Sequence, residues 1–196
     1  AAAARRAAAM TLGAFFSPED KIALTTPKGV RLELAAEDLK TGDGWASCAV
    51  RKDGGDDPDV TNGILIYARV RKLPEPGIVL DGGIGVGRVT KRGLACSVGE
   101  AAINPVPRQM ILDQVTMVCD EFDYTGGFHV EISVPEGEET AKRTFNAQLG
   151  ILGGISILGT SGIVEPMSEQ ALIDTIKVKM NVSKAGGTEY LVVTPG

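Results

Sequence analysis

The chain has 196 residues, 43% of them hydrophobic and 23% charged, so it can bury a core without disulfide or metal staples. Its net charge of −5, its 5% aromatic content and its lack of any long Lys/Arg run exclude the basic, ring-bearing footprint of a nucleic-acid binder, and argue against a membrane-surface role. No apolar stretch reaches the about 18 residues that a membrane span needs, and Arg5 and Arg6 lead into no signal-peptide core.

Ala1–Met10 is a strong helix former, and a chain that starts inside a helix is expected to continue upstream. Val30–Leu34 alternates apolar and charged residues as a strand does, and Trp45–Val50 reads as a second strand. Lys52–Asn62 is a polar loop. Ile64–Leu73 is a third strand with Ile64, Ile66, Ala68 and Val70 on one face, and Ile78–Leu80 is a short fourth. Pro105–Glu121 is helical, with prolines in its first turn and Met110, Ile111, Val115, Val118 and Cys119 on one stripe. Phe128–Val134 alternates cleanly as a strand, and a short helix follows around Glu138–Phe145.

From about Gly150 the pattern changes. Ile155–Leu158 is a continuous apolar run, expected to be a strand buried on both faces. A helix capped by Ser168 follows, with Leu172, Ile173, Ile176 and Met180 at helical spacing, and then an apolar strand at Tyr190–Thr194. The predicted fold is an α+β domain with a mostly antiparallel sheet over residues 1–148. Residues 149–196 are then the first βαβ unit of a truncated α/β (Rossmann-like) domain.

Cys48, Cys96 and Cys119 are odd in number, widely spaced and in no C-x-x-C, so they read as reduced thiols of a cytoplasmic protein. His129, the one histidine, lies on the polar face of its strand and reads as structural, which leaves histidine-based catalysis little support. Glycines cluster at 82, 83, 85, 87 and 93, and again at 150, 153, 154, 159 and 162. Such clusters mark tight turns or close approach of the backbone to something else.

Four segments could carry chemistry. Asp81–Gly93 is neither a P-loop nor a G-x-G-x-x-G fingerprint. If it is extended, Gly83, Gly85 and Gly87 strip one face of side chains, and that face could lie against a flat ligand while Arg88, Lys91 and Arg92 meet its carboxylates. A plain hairpin fits the same residues. In Gly99–Arg108, Asn104 is placed to cap the helix, and Arg108 sits in a first turn where the helix dipole disfavours a cation, which invites an anionic partner. An acid of the chain itself would serve as well. Asp53, Asp56, Asp57 and Asp59 suggest a metal, but the twelfth position from Asp53 is Ile64, so the EF-hand spacing fails and a solvated loop is the plainer reading. Gly159–Gly162 follows an expected strand, where open α/β sheets bind ligands, although it also suits a simple turn.

The runs KDGGDDPDVTNG, GGIGVGRVTKRGL, GEAAINPVPRQMI and GGISILGTSGIVEPMSEQAL, in this order, resemble signatures of the cobalt-precorrin-5B C1-methyltransferase (CbiD) family. LVVTPG resembles a later strand and loop of that family. The chain is similar to the family's N-terminal portion. The resemblance implies an S-adenosylmethionine-dependent C-methyltransferase of cobalamin biosynthesis, with cobalt carried by the corrinoid substrate and none bound by the protein. It implies Asp56, Asp57, Gly83, Gly85, Gly87, Arg88, Asn104 and Arg108 on the corrinoid. Gly154, Gly159, Thr160, Ser161, Gly162, Thr194, Pro195 and Gly196 would hold S-adenosylmethionine. No catalytic acid or base is assigned, because methyl transfer from a sulfonium needs alignment more than proton transfer. Neither nucleic acid nor membrane is an expected partner, and a homo-oligomer is compatible with the reading. The rivals are a non-catalytic tetrapyrrole carrier and a nucleotide-phosphate enzyme using Gly82–Gly87.

Overall fold

The structure, a computed structural model, describes residues 1–17, 19–56, 59–159, 161–164 and 168–192. Helix α1 (Ala2–Thr11) opens the chain. A hairpin of β1 (Ile22–Thr25) and β2 (Arg31–Leu34) follows. Then come β3 (Glu37–Gly42), β4 (Trp45–Arg51), β5 (Leu65–Leu73) and β6 (Gly77–Gly82). Two short strands, β7 (Gly85–Val86) and β8 (Arg88–Val89), lead to helix α2 (Pro105–Glu121) and strand β9 (Gly127–Ser133). The chain continues through helices α3 (Gly137–Ala141) and α4 (Asn146–Leu149), strands β10 (Ile151–Leu152) and β11 (Gly154–Ile155), and helix α5 (Glu169–Ala185).

The fold is mixed α+β with several sheets, partly antiparallel. The main sheet runs β3-β4-β5-β9-β6. All its pairs are antiparallel except β6 with β9. A parallel pair needs a long crossover, and here the crossover contains α2, which buries Ile111, Val115 and Val118. Helix α1 lies beside α2 and against β4 and β5. Its alanines at 4, 7 and 8 are fully buried, and their small side chains let the helix come close enough for the Cys48 thiol to donate to the Ala3 carbonyl at 3.3 Å. Burial pushes that thiol's pKa up to about 12, so Cys48 is an inert core residue. The core then fills with Val70, Phe128, Val130 and Val134 from the sheet.

Strands β1 and β3 are not among the elements the sequence pattern predicts. Glu37–Gly42 carries few apolar residues because it is an edge strand, and it is broken by a bulge and by Asp38 at φ 52°. The end of the chain differs more. The strand expected at Ile155–Leu158, buried on both faces, is only Gly154–Ile155, and Leu158 is 64% exposed. Helix α5 forms with the Ser168 cap, but Leu172, Ile173, Ile176 and Met180 are exposed. Tyr190–Val192 form no strand, and the rest of that expected strand lies outside the described residues. The cause is visible in the backbone pairing. Strand β10 pairs with β8, β11 pairs in parallel with β7, and Ile157 bridges to Ile103, so this segment's hydrogen bonds go back into residues 85–104.

A Cβ on Gly85 would sit 1.8 Å from the Val134 carbonyl oxygen, at a φ of +71°. Gly85→Ala should cost about 2–5 kcal/mol, combining left-handed strain with overpacking. Gly99, also at positive φ but with nothing within 4 Å, should cost only about 1–2 kcal/mol as Gly99→Ala. Urea unfolding followed by circular dichroism separates the two.

Candidate functional site

The glycine-rich segments come together, but largely on one another. Gly85 and Gly87 are buried. The space a side chain would take at Gly85 is filled by Val134, and at Gly87 by Ile151 and the Gly154 carbonyl. At Gly83 that space is taken by Ser133 and the Glu131 carboxylate. The bare face expected to meet a flat ligand therefore meets protein. The reason is that Val134, Gly137, Ile151 and Gly154 pack directly onto the segment at Gly85 and Gly87.

Arg88 is exposed and makes a two-pronged contact to Asp81, at 2.7 and 2.8 Å, while also donating to the Gly82 carbonyl at 2.8 Å. The guanidinium holds the Asp81 carboxyl below the usual carboxylate range, with a further hydrogen bond from the Gly82 amide. Arg108, half-buried, donates to the Leu80 carbonyl at 3.4 Å. Because β6 is an edge strand, the outward carbonyls of Leu80 and Gly82 lack a strand partner, and the two arginines take them. Residues two apart along a strand are about 7 Å apart, so Arg88 and Arg108 stand side by side on one edge. Among the described residues, no carboxylate lies within ion-pair distance of Arg108.

Asn104 precedes α2, but its side chain does not cap the helix. Pro107 occupies the third helical position and has no N–H to offer, which removes one of the two donors a cap would use. The Asn104 carbonyl Oδ1 accepts instead from the Cys96 thiol at 3.8 Å. Burial raises the Cys96 pKa, and the nearby Arg108 charge opposes it. Asp56 is exposed at the tip of the acidic loop, and Asp57 lies outside the described residues. Among the described residues no three His, Cys, Asp or Glu side chains converge to hold a metal.

Gly154 is buried against Gly85, and Gly159 and Gly162 are exposed. Gly162 packs near Thr26 and Pro27 of the β1–β2 turn, and the Ser161 hydroxyl donates to the Ile163 carbonyl at 2.8 Å. Thr160, Thr194, Pro195 and Gly196 lie outside the described residues.

The structure adds a cavity of about 340 Å³ between the acidic loop, α4, the segment after β11, and α5. Its walls include Ile66, Ile155, Ile157 and Leu158, with Lys52, Asp59 and Thr61 on one side and Asn146 and Ser156 among the residues of α4 and the segment after β11. Lys52 donates to both Asp59 and Thr61. In the sequence this loop is dominated by its acids. A lysine seven residues before Asp59 was the available signal that one of them is paired. The Asn104 amide donates to the Ile157 carbonyl at 3.0 Å, so the cavity wall and the residue ahead of α2 are one hydrogen bond apart.

These segments identify a class. The chain belongs to the CbiD family, whose profile matches residues 1–166. The cobalt-precorrin-5B C(1)-methyltransferase of Ruminiclostridium cellulolyticum is 57% identical over 196 residues, covering 100% of this chain and 50% of that protein. The protein of the same name from Thermoanaerobacter sp. is 50% identical over 198 residues, covering 100% of this chain and 52% of its own length. The crystal structure of the cobalamin biosynthesis protein (cbiD) from Archaeoglobus fulgidus matches with a TM-score of 0.59 at 36% identity, over 92% of this chain and 56% of that one. The chain spans about half the length of the curated relatives it matches. Among the described residues, no helix is long and apolar enough to cross a membrane.

The Arg88–Asp81 pair predicts a pH signature. Asp81 titrates lower in the folded state, so its contribution is full above about pH 5 and is lost as pH falls below about 4. Both side chains are more than 40% exposed, which limits the contribution to about 0.5–1 kcal/mol. Asp81→Asn should be less stable than the parent at pH 7 and indistinguishable from it at pH 3 in chemical unfolding.

Proposed function

We propose that the protein transfers a methyl group from S-adenosylmethionine to ring carbon C-1 of cobalt-precorrin-5B, giving cobalt-precorrin-6A in anaerobic cobalamin biosynthesis. The reading is supported by membership of the CbiD family and by relatives named for that C(1)-methylation. One structural observation carries it. Arg108 is a half-buried cation with no acid partner among the described residues, beside Arg88 on an open strand edge. A corrinoid precursor bears many carboxylate arms, and an arginine fork suits a carboxylate. Cobalt arrives with the substrate.

In this reading residues 1–148 hold the corrinoid, through Arg88, Asn104 and Arg108, with Asp56 and Asp57 at the acidic loop. Gly83, Gly85 and Gly87 shape the backbone behind Arg88. Residues from 149 take the donor in this reading, through Gly154, Gly159, Ser161 and Gly162. Thr160, Thr194, Pro195 and Gly196 join that set on the resemblance alone. The chain's task is alignment: the ring carbon's electron pair forms the new C–C bond while the S–CH3 pair stays on sulfur, giving the thioether product. No proton need move through the protein to make that bond, and fixed geometry supplies the rate.

Incubating the full chain anaerobically with the cobalt precursor and methyl-labelled S-adenosylmethionine should place label in the macrocycle. Label that stays with the donor defeats the reading. Arg108→Ala should raise the KM for the corrinoid roughly 10- to 100-fold, the worth of a charge-assisted hydrogen bond, and leave donor binding nearly unchanged. Steady-state kinetics with each substrate varied in turn decides it.

A further inference from the structure

We propose that the Lys52–Asp59–Thr61 cluster is the clamp for the amino-acid end of the methyl donor. The proposal rests on the methyltransferase reading and gives the 340 Å³ cavity its occupant.

The cavity is mostly hydrocarbon where Ile66, Ile155 and Ile157 line it, yet one wall carries an ion pair. Lys52 and Asp59 are only 27% and 28% exposed. A lysine ammonium has three donors, and two are used, on Asp59 and Thr61. The third is left for a ligand carboxylate. Asp59 Oδ2 accepts from Lys52 and from the Thr61 hydroxyl, while Oδ1, among the described residues, accepts only the Thr61 amide, at 2.9 Å. That oxygen retains a lone pair for a ligand ammonium. A cation and an anion side by side, each with one unused valence, complement a zwitterion. Either ion alone would not.

The loop is built to hold this pair still. The Lys52 amide donates to the Ile64 carbonyl and the Gly63 amide to the Lys52 carbonyl, both at 2.9 Å. The Asn62 side chain accepts from the Gly54 amide at 2.8 Å. On the α4 side, Asn146 is buried, donates to the Gly154 carbonyl at 3.3 Å and accepts from Ser156 at 3.3 Å. The Ser156 hydroxyl keeps its acceptor lone pairs for the ribose hydroxyls or the exocyclic amino group of an adenosine. A lining that combines a charged pair, a side-chain amide with a hydroxyl, and apolar side chains suits a molecule with an amino-acid head and a nucleoside tail. Leu158, which lines the cavity and is exposed, leads directly into Gly159, already assigned to the donor.

Isothermal titration of the full chain with two probes tests the clamp. S-adenosylhomocysteine carries the amino-acid head, and 5′-methylthioadenosine keeps the nucleoside without it. Lys52→Gln and Asp59→Asn should each weaken S-adenosylhomocysteine roughly 10- to 100-fold and leave 5′-methylthioadenosine within about twofold. Retained binding of the second probe also reports that the variant is folded. Thr61→Val preserves the loop's size and both charges, and should give a smaller loss with the same selectivity; it decides the matter if a charge variant does not fold. Loss of both probes alike in a folded variant, or of neither, overturns the clamp and leaves the methyltransferase reading standing. A parent protein that ignores S-adenosylhomocysteine overturns both.

Discussion

Three main-chain segments cross at a point where there is no room for side chains. A Cβ on Gly85 would fall 1.8 Å from the Val134 oxygen, one on Gly137 2.1 Å from the Gly85 oxygen, and one on Gly154 2.2 Å from the Gly85 carbonyl. Backbone groups brought this close must be hydrogen-bonded, because burying them unpaired would cost about as much as a lost hydrogen bond each. They are. Val134 donates to Ile84, Gly87 to Ile155, Ala102 to Gly87 and Ile157 to Ala102, all at 2.7–2.8 Å. The glycines permit the crossing and the hydrogen bonds hold it.

That crossing fixes the two polar features of the molecule. On one side the chain leaves Gly87 directly into Arg88, whose guanidinium covers the β6 edge together with Arg108. On the other side it leaves Gly154 into Ile155–Leu158, the apolar part of the cavity wall. The electrostatics of the two are different. The β6 edge carries Arg88 tied to Asp81, and Arg108 with no such counterweight among the described residues. The cavity carries a balanced pair, Lys52 with Asp59, in which burial acts to raise the Asp59 pKa but the hydrogen bonds from Lys52 and Thr61 outweigh it and keep it low. A net-cationic edge and a neutral dipolar wall select different ligands, a polyanion and a zwitterion.

The sequence revealed the elements whose periodicity comes from packing on the main sheet. Phe128, Val130 and Ile132 alternate because β9 is central, and α2 repeats Ile111, Val115 and Val118 because it covers that sheet. It concealed β3, a polar edge strand, and it misled at Ile155–Leu158, where apolar character reflects a cavity wall and an exposed tip, and not a doubly covered strand. Within the glycine clusters, Gly153 and Gly159 face open space, while Gly82, Gly83, Gly85, Gly87 and Gly154 do mark close approach to other parts of the chain. Their partner could not be inferred, because a glycine packed against Val134 looks the same in sequence as one packed against a ligand. Arg108 stands out in the sequence because a cation in a first helical turn goes against its local preference. Lys52 was not, because a lysine beside four aspartates reads as plain charge balance until the fold turns it toward Asp59 and the cavity.

A rigid crossing between two binding surfaces is a physical answer to a reaction that asks for little acid–base help. If the macrocycle is gripped at Arg88 and Arg108 and the donor lies along Ile155–Leu158, both grips hang from the same few hydrogen bonds between residues 85–104 and 151–157. A shift of about 1 Å between reacting atoms can cost on the order of a hundredfold in rate. Flexible side chains at the crossing would loosen that relation, and each one absent from it tightens it. Gly85, Gly87 and Gly137 thus serve the chemistry at one remove: they touch neither ligand in this reading, yet they set the distance between the two surfaces that do.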